Sequence, residues 1–278
     1  MKKTGLGGTA RTQDHWRASL SMQFRHNGSQ TVLRHRHVGP LRIQKPLYPE
    51  PNCCQVHLLH PPAGIVGGDE LGITMDLAAH SHAQVLTPGA SLVYKSAGPT
   101  AQIATHCSIA EDARLEYLPH ETIHFNGARS RAHTRLDLAK GARLIWRETH
   151  CFGRPTSGET FTQGSMRWRT DLYREAAPFW SETTRVNAPN WTTDTAGMRS
   201  YAYTGTLLAS PVSRVEYEAL RTQFADAHTA LSCVDNLLIA RYLGDDVQKW
   251  RATSAALWQA LRPTVIGSRA TTPRIWAT

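Results

Sequence analysis

Apolar and polar residues alternate along much of this chain. Across residues 18–25, Leu20, Met22 and Phe24 take every second position, the period of a strand with one buried face. His26-Asn27-Gly28-Ser29 then supplies turn chemistry leading into Thr31-Val32-Leu33, so the pair predicts a β-hairpin. The alternation returns at Met166, Trp168, Thr170 and Leu172, after a stretch broken by Gly153, Pro155, Gly158 and Gly164. Two short apolar runs, 41–43 and 56–59, are bracketed by Pro and Gly too densely for helix and predict buried strands.

A weak repeat lies between these regions. Asp76-Leu77-Ala78, Ser108-Ile109-Ala110 and Asp137-Leu138-Ala139 are each followed by a polar turn and then by Ala83-Gln84-Val85, Ala113-Arg114-Leu115 and Ala142-Arg143-Leu144. Ala78, Ala110 and Ala139 lie 32 and 29 residues apart, and each unit reads as strand, tight turn, strand. Stacked units of this kind bury one continuous apolar face, as a β-solenoid does, but β-hairpins that are alike by chance give the same pattern.

The period lengthens near residue 213. Ser213-Arg214-Val215-Glu216 fits a capping box, and Leu220, Phe224 and Ala227 follow on one face, predicting a helix of about three turns. Residues 234–243 predict a strand. Asp245 or Asp246 then caps a last helix with Val247, Trp250, Leu257, Trp258 and Leu261 along one stripe, ended by Pro263. The expected organisation is a flexible tail over 1–14 and one domain over 15–278, with a β body at 15–210 and a mixed α/β part at 211–278. An exposed apolar patch on the Trp-rich last helix is expected to make the free chain prone to aggregate.

Composition narrows the function classes. Apolar residues make up 41% and charged residues 19% of the 278 residues, a globular balance. The 31 Lys and Arg exceed the 22 Asp and Glu by 9, which favours an acidic partner, either an acidic protein or nucleic acid. The charge is dense only at Arg34-His35-Arg36-His37 and across 129–135, and no zinc-finger or RNA-binding signature accompanies it. Five Cys with no C-x-x-C argue against a disulfide framework and for a reducing compartment. Lys2 and Lys3 are followed by no apolar signal core, and no run approaches the ~20 apolar residues that cross a bilayer. The expectation is a soluble, cytoplasmic protein.

Catalytic patterns fail on context. Gly67-Gly68-Asp69-Glu70-Leu71 is close to a cyclic-dinucleotide cyclase signature but ends in Leu where that motif has Phe, and the alternating helices and strands of such a domain are missing. The glycines are better explained by unusual backbone dihedrals or close approach. No nucleophile elbow, phosphate-binding loop or dinucleotide fingerprint occurs. Among 14 His, the set Cys54, His57 and His60 is spaced by three, so a strand cannot turn all of them one way. His35 with His37, and His80 with His82, share a face if extended, and none of these completes a four-ligand set. The readings left open by the residues themselves are a metal-dependent enzyme on a β body with His57, His60 and Asp69 as ligands, and a basic nucleic-acid-binding module.

Several blocks resemble one family in order along almost the whole chain. They are Gly39-Pro40-Leu41, Pro46-Leu47-Tyr48-Pro49-Glu50, Leu58-Leu59-His60-Pro61-Pro62, Gly64-Ile65-Val66-Gly67-Gly68-Asp69, Thr87-Pro88-Gly89-Ala90, Leu118-Pro119-His120-Glu121-Thr122-Ile123, Gly153-Arg154, Gly158-Glu159-Thr160-Phe161 and Pro273-Arg274-Ile275-Trp276. The chain thereby resembles the urease accessory protein UreD (UreH) family. Gln55, Ala63, His120 and the stretch Leu92-Val93-Tyr94-Lys95 depart from its usual wording, and Gln55 in place of His weakens Cys54 as a metal ligand.

The resemblance implies a mainly β, stacked-strand body and no catalytic activity. It implies binding to apo-urease and to UreF, which recruits the GTPase UreG, no tightly bound cofactor, and Ni2+ passing in transit through an internal channel. Matched motif by motif, the channel positions fall on Asp69, Ser91, Glu148 and Glu182, and Gly39, Pro40, Pro61, Pro62, Gly67, Gly68, Pro88, Gly89, Arg154, Gly158 and Glu159 fall on structural positions. Oxygen ligands and water suit such a role because they hold a borderline cation loosely, where thiolates would trap it.

Overall fold

The computed structural model describes residues 16–62 and 64–277; the tail expected over 1–14 lies outside them. The expected hairpin is β1 (Arg17–His26) and β2 (Thr31–Val38), paired antiparallel, with the alternating Ala18, Leu20, Met22 and Phe24 in the core. Asn27 closes its turn by accepting from the amides of Ser29 (3.1 Å) and Gln30 (3.0 Å). The bracketed apolar runs fall on β3 (Arg42–Ile43) and β4 (Cys53–Leu59), which pair antiparallel.

From β4 the chain winds through about four coils. The first three are β4, β5 (Gly64–Ile65) and β6 (Glu70–Leu77); β7 (His82–Leu86), β8 (Ser91–Val93) and β9 (Ala101–Ile109); and β10 (Arg114–Tyr117), β11 (Thr122–His124) and β12 (Arg129–Leu138). In the fourth, β13 (Arg143–Arg154) spans two sides, β14 (Glu159–Thr160) folds back on its end, and β15 (Ser165–Arg174) completes the turn. Like strands stack in parallel: β1, β6, β9, β12 and β15 on one side, β4, β7, β10 and β13 on the second, and β5, β8, β11 and the end of β13 on the third.

The repeat is therefore a solenoid, and the strands flanking each tight turn belong to different sheets. The turns themselves form a ladder. Ser81, Ala113 and Ala142 each donate back to Ala78, Ala110 and Ala139 at 3.1 Å, while the amides of Ala110 and Ala139 reach Leu77 and Ile109 of the coil below at 3.0 and 2.9 Å. The sequence alignment is corrected at one place: Leu115, not Ala113, lies beside Ala83.

Both outer strands of the seven-stranded sheet reverse direction. At one end stands β2, and at the other β16 (Ala177–Asn187) returns antiparallel on β15. A single-turn helix, α1 (Asn190–Thr193), follows, unannounced by any apolar period. β17 (Tyr203–Ser210) then pairs antiparallel with β13. Next come α2 (Arg214–Phe224), β18 (Thr229–Val234), β19 (Leu237–Gly244) and α3 (Val247–Leu261), with β18 and β19 extending the sheet beyond β17.

Four expectations change in this part. The run 234–243 is not one strand, because Val234 ends β18 and Asp235-Asn236, both at positive φ, turn the chain into β19. α2 stops at Phe224 and does not include Ala227. Winding does not stop at Pro263: α3 ends at Leu261 and passes directly into a π turn, Arg262–Ile266, with Pro263 near its start, where the missing amide hydrogen removes a donor to the preceding turn. The Trp-rich helix offers no exposed apolar patch, since Trp250 and Trp258 pack against the outer face of the sheet.

The capping box forms as expected: the Glu216 amide donates to Ser213 Oγ (3.2 Å) and the Ser213 amide to Glu216 Oε2 (2.9 Å). Ser213→Ala is expected to lower stability by about 1 kcal/mol, read as a shifted denaturation midpoint at unchanged slope.

Candidate functional site

A solenoid interior is ordinarily filled by apolar side chains, and here that holds for part of the cross-section, where Leu20, Met75, Leu115 and Leu136 pack together. The remainder is hollow. A cavity of about 710 Å³ runs from the first coil, at Leu58 and Ile73, to the fourth, at Trp146 and Met166. A second, of about 520 Å³, continues from the fourth coil toward β16, β17 and β19. The two share Trp146, Glu148, His150 and Trp168 as lining residues.

The shared wall follows from strand periodicity. Trp146, Glu148 and His150 are alternate residues of β13 and turn to the same side. Glu148 Oε1 accepts from the Trp146 indole N–H at 2.9 Å and from Thr134 Oγ1 at 3.5 Å. Burial raises its carboxyl above the ordinary value, the hydrogen bonds from Trp146 and Thr134 oppose this, and the charge of Glu182 adds to the rise. Among the described residues, Glu148 is the one Asp, Glu, Lys or Arg on the wall of the larger cavity, which also carries His60, His120, His124 and His150.

Burial holds these four imidazoles below their ordinary pKa: His150 is lowered to about 4, and His124 falls well below the usual value, with His150 as a second cause. They are neutral near pH 7, so the wall of the larger cavity carries no fixed positive charge beside the Glu148 carboxyl.

Of the positions matched by resemblance, Ser91 and Glu148 line the larger cavity, and Glu148 and Glu182 the smaller, so Glu148 is common to both. Glu182 is paired with Arg241. Asp69 is buried but stands outside both linings: its carboxylate accepts from the amides of Val66 (2.9 Å) and Trp16 (3.2 Å), and its charge acts on His60 at the cavity edge. His124, His150 and Trp168 were not singled out from sequence. For His150 the signal was available, two residues beyond Glu148 on the same strand face.

Cys54, His57 and His60 do not converge. His57 Nδ1 is 2.8 Å from Gln44 Oε1, and Cys54 Sγ lies 3.9 Å from the Tyr48 hydroxyl. The three-donor group that does form among the described residues is Cys53, His82 and Glu116. Its carboxylate is already occupied: Glu116 accepts from Trp258 Nε1 (2.6 Å) and Arg262 Nε (3.0 Å) and is 2.8 Å from His82 Nε2. Burial pushes the Cys53 thiol far above its usual range. A guanidinium in contact with the donor carboxylate disfavours a cation, so this group fits a structural cross-link between β10 and the end of α3 and not a metal centre.

The motif glycines and prolines shape the walls. Gly68 has φ +98°, and a Cβ on Gly67 would lie 2.5 Å from Pro99 O, which explains both glycines without catalysis. Gly39 (φ +74°) follows β2, ahead of Pro40, while Pro61 and Pro62 turn the chain after β4. Pro88 and Gly89 line the larger cavity between β7 and β8. Arg154 and Glu159 pair at 2.7 Å across Gly158, and Glu159 also accepts from the Asn126 amide.

Fold and site define a β-helical body with a largely apolar-walled hollow along its coils, into which one carboxyl and four imidazoles project, and, among the described residues, no helix long and apolar enough to cross a membrane. The model of the UreD urease accessory protein family matches residues 16–277, and the chain belongs to that family. It is 39% identical over 276 residues to a urease accessory protein UreD of Enterobacter sp. (strain 638), covering 98% of this chain and 99% of that one. It is 40% identical to the namesake of Azoarcus sp. (strain BH72), over 96% of this chain and 95% of that one, and 41% identical to that of Dechloromonas aromatica (strain RCB), over 95% of each.

Proposed function

We propose that this chain is a non-catalytic scaffold for urease maturation that binds apo-urease and UreF, with UreG joining through UreF, and that its interior is part of the route by which Ni2+ reaches the urease active site. One observation carries the transit part. Two cavities, together spanning the coils and the C-terminal strands, meet at the single carboxylate of the larger one, Glu148. Nickel here is cargo, and the sparse donor set suits release.

Glu148, Ser91 and Glu182 serve as waypoints in this reading, and Asp69 fixes the Val66–Asp69 turn beside His60. The excess of 9 positive charges favours an acidic protein partner.

The test is a urease operon lacking only its UreD gene, complemented by this chain together with its native UreF and UreG. Urease activity and urease-bound nickel are expected to return together. Glu148→Leu, at equal protein level and with partners still co-purifying, is expected to reduce both on the order of tenfold. Failure to rescue while UreF and urease still co-purify would overturn the transit role, and failure of both would overturn the scaffold.

A further inference from the structure

We propose that Arg131, Arg167 and Arg185 form a docking row, on the outer face of the seven-stranded sheet, for an acidic α-helix of a protein partner. Its biological sense rests on the scaffold reading above, whereas the binding rests on the row alone.

The dense charge across 129–135 finds its place here. In β12, Ser130 and Ala132 line the larger cavity, so Arg131 between them points outward; in β15, Met166 and Trp168 do the same for Arg167. In β16, Thr184 lines the smaller cavity and Val186 is buried, which turns Arg185 outward as well. The register sets the three side by side: Arg131 stands beside Arg167 in the parallel pair, and Arg167 beside Arg185 in the antiparallel one. Like charges at directly paired positions disfavour a sheet, and an acidic partner relieves that repulsion.

Elsewhere on this face the fold neutralises its own cations. Arg17 pairs with Glu70 at 3.1 Å, Arg135 with Asp137 at 2.9 Å and Arg169 with Asp171 at 2.7 Å. The guanidinium groups of Arg131, Arg167 and Arg185 make no ion pair, hydrogen bond or ring contact among the described residues. Arg129, two residues before Arg131 on the same strand, adds a fourth cation, hydrogen-bonded to the Gly98 carbonyl at 3.4 Å.

The occupant follows from charge and spacing. Paired strands lie about 4.8 Å apart, so the row spans about 9.6 Å. Acidic residues at i, i+3 and i+7 of an α-helix span about 10.5 Å, whereas i, i+2 and i+4 of an extended strand span about 13 Å. A helix laid across the strands thus brings one carboxylate to each guanidinium, whose planar fork accommodates it through two parallel hydrogen bonds. No Phe, Tyr or Trp stands in the flanking rows, His133-Arg169-Thr183 and Arg129-Ser165-Asn187, so a stacking platform for single-stranded nucleic acid is missing.

The experiment titrates the full chain, by fluorescence anisotropy at low salt, into a labelled, capped Ala/Gln peptide of about twenty residues with Glu at i, i+3 and i+7. Saturable binding that weakens as salt rises is expected. Arg131→Gln, Arg167→Gln and Arg185→Gln are each expected to weaken it about threefold, and the triple variant about thirtyfold. Arg25→Gln/Arg34→Gln/Arg36→Gln removes the same charge from the opposite end of the sheet and is expected to change binding less than about twofold. A peptide of the same composition with its Glu spread around the helix is expected to bind at least about fivefold more weakly. Thermal melts check that each variant folds.

An equal loss in the two triple variants, equal binding of the two peptides, or binding of duplex DNA through these arginines without binding of the peptide overturns the proposal. Operon complementation by the parent chain reads the scaffold whether or not the peptide binds, and the titration reads the row without urease.

Discussion

Glu116→Gln is expected to lower the free energy of unfolding by about 3 kcal/mol at pH 7, because it removes one of the two carboxylates that compensate the buried Arg262 guanidinium, leaving Glu50 alone to do so. The side chains of Glu116 and Arg262 are both 0% exposed. Arg262 Nε and Nη2 reach Glu116 at 3.0 and 3.2 Å, its Nη1 and Nη2 reach Glu50 at 2.8 and 2.9 Å, and it also donates to the Arg269 carbonyl. The group links residues more than a hundred positions apart, so its loss loosens the C-terminal end from the solenoid.

The pH dependence has a definite sign. Burial alone would raise the Glu116 carboxyl, but the hydrogen bond and charge of His82 and those of Arg262 outweigh it and lower the pKa from 4.5 to about 2. Because the folded value lies below the unfolded one, the contribution is complete above about pH 4.5 and fades as pH falls toward 2. Denaturant titrations across that window should show a steeper acid loss in the parent than in Glu116→Gln. Adding Glu50→Gln to Glu116→Gln should deepen the loss, since the buried Arg262 guanidinium then keeps no carboxylate partner. A single variant within about 0.5 kcal/mol of the parent would show that the cross-link is not what holds this end in place.

Trp250→Ala is expected to cost a comparable ~3–5 kcal/mol, by a different mechanism. The indole is 1% exposed, stacks on Tyr242 at a centroid distance of 5.5 Å and donates to Thr149 Oγ1 at 2.8 Å. It lies directly over Gly205 of β17, where a Cβ would come within 2.2 Å of the ring. Gly205→Ala should therefore destabilise the parent, and its added cost should largely vanish in Trp250→Ala, where the space is empty. Thermal melts of the four proteins close that cycle. Additive losses would mean that the close approach is relieved elsewhere.

Local chemistry was legible in the sequence. The Ser213–Glu216 box, the Asn27 turn and the alternation of β1 are fixed by neighbours in the chain, and each folded as read, whereas in β15 the alternation is interrupted by the buried Asp171 between Thr170 and Leu172. The repeat was legible as a repeat, but its register was not: shifting Ala83 by two residues leaves every side chain on the same face, so the apolar pattern cannot report the slip. The Asp235-Asn236 turn was missed because apolar residues flank it closely on both sides, hiding a hairpin inside what reads as one run.

At the site, resemblance supplied Glu148, and strand parity extends it to His150. His124 could not be reached this way. It comes from another coil, and only the parallel pairing of β11 with β13 brings it beside His150.

The reversed outer strands, β2 and β16, have a consequence for size. A stack of parallel coils has no intrinsic end and would accept another coil, or another molecule, on either edge. A strand running the wrong way cannot seed the next coil, and the exposed Arg34 and Arg36 of β2 put charge on that edge as well. The protein is thus a ruler of fixed length graduated in coils, and gaining or losing one repeat would move its far end by about 4.8 Å.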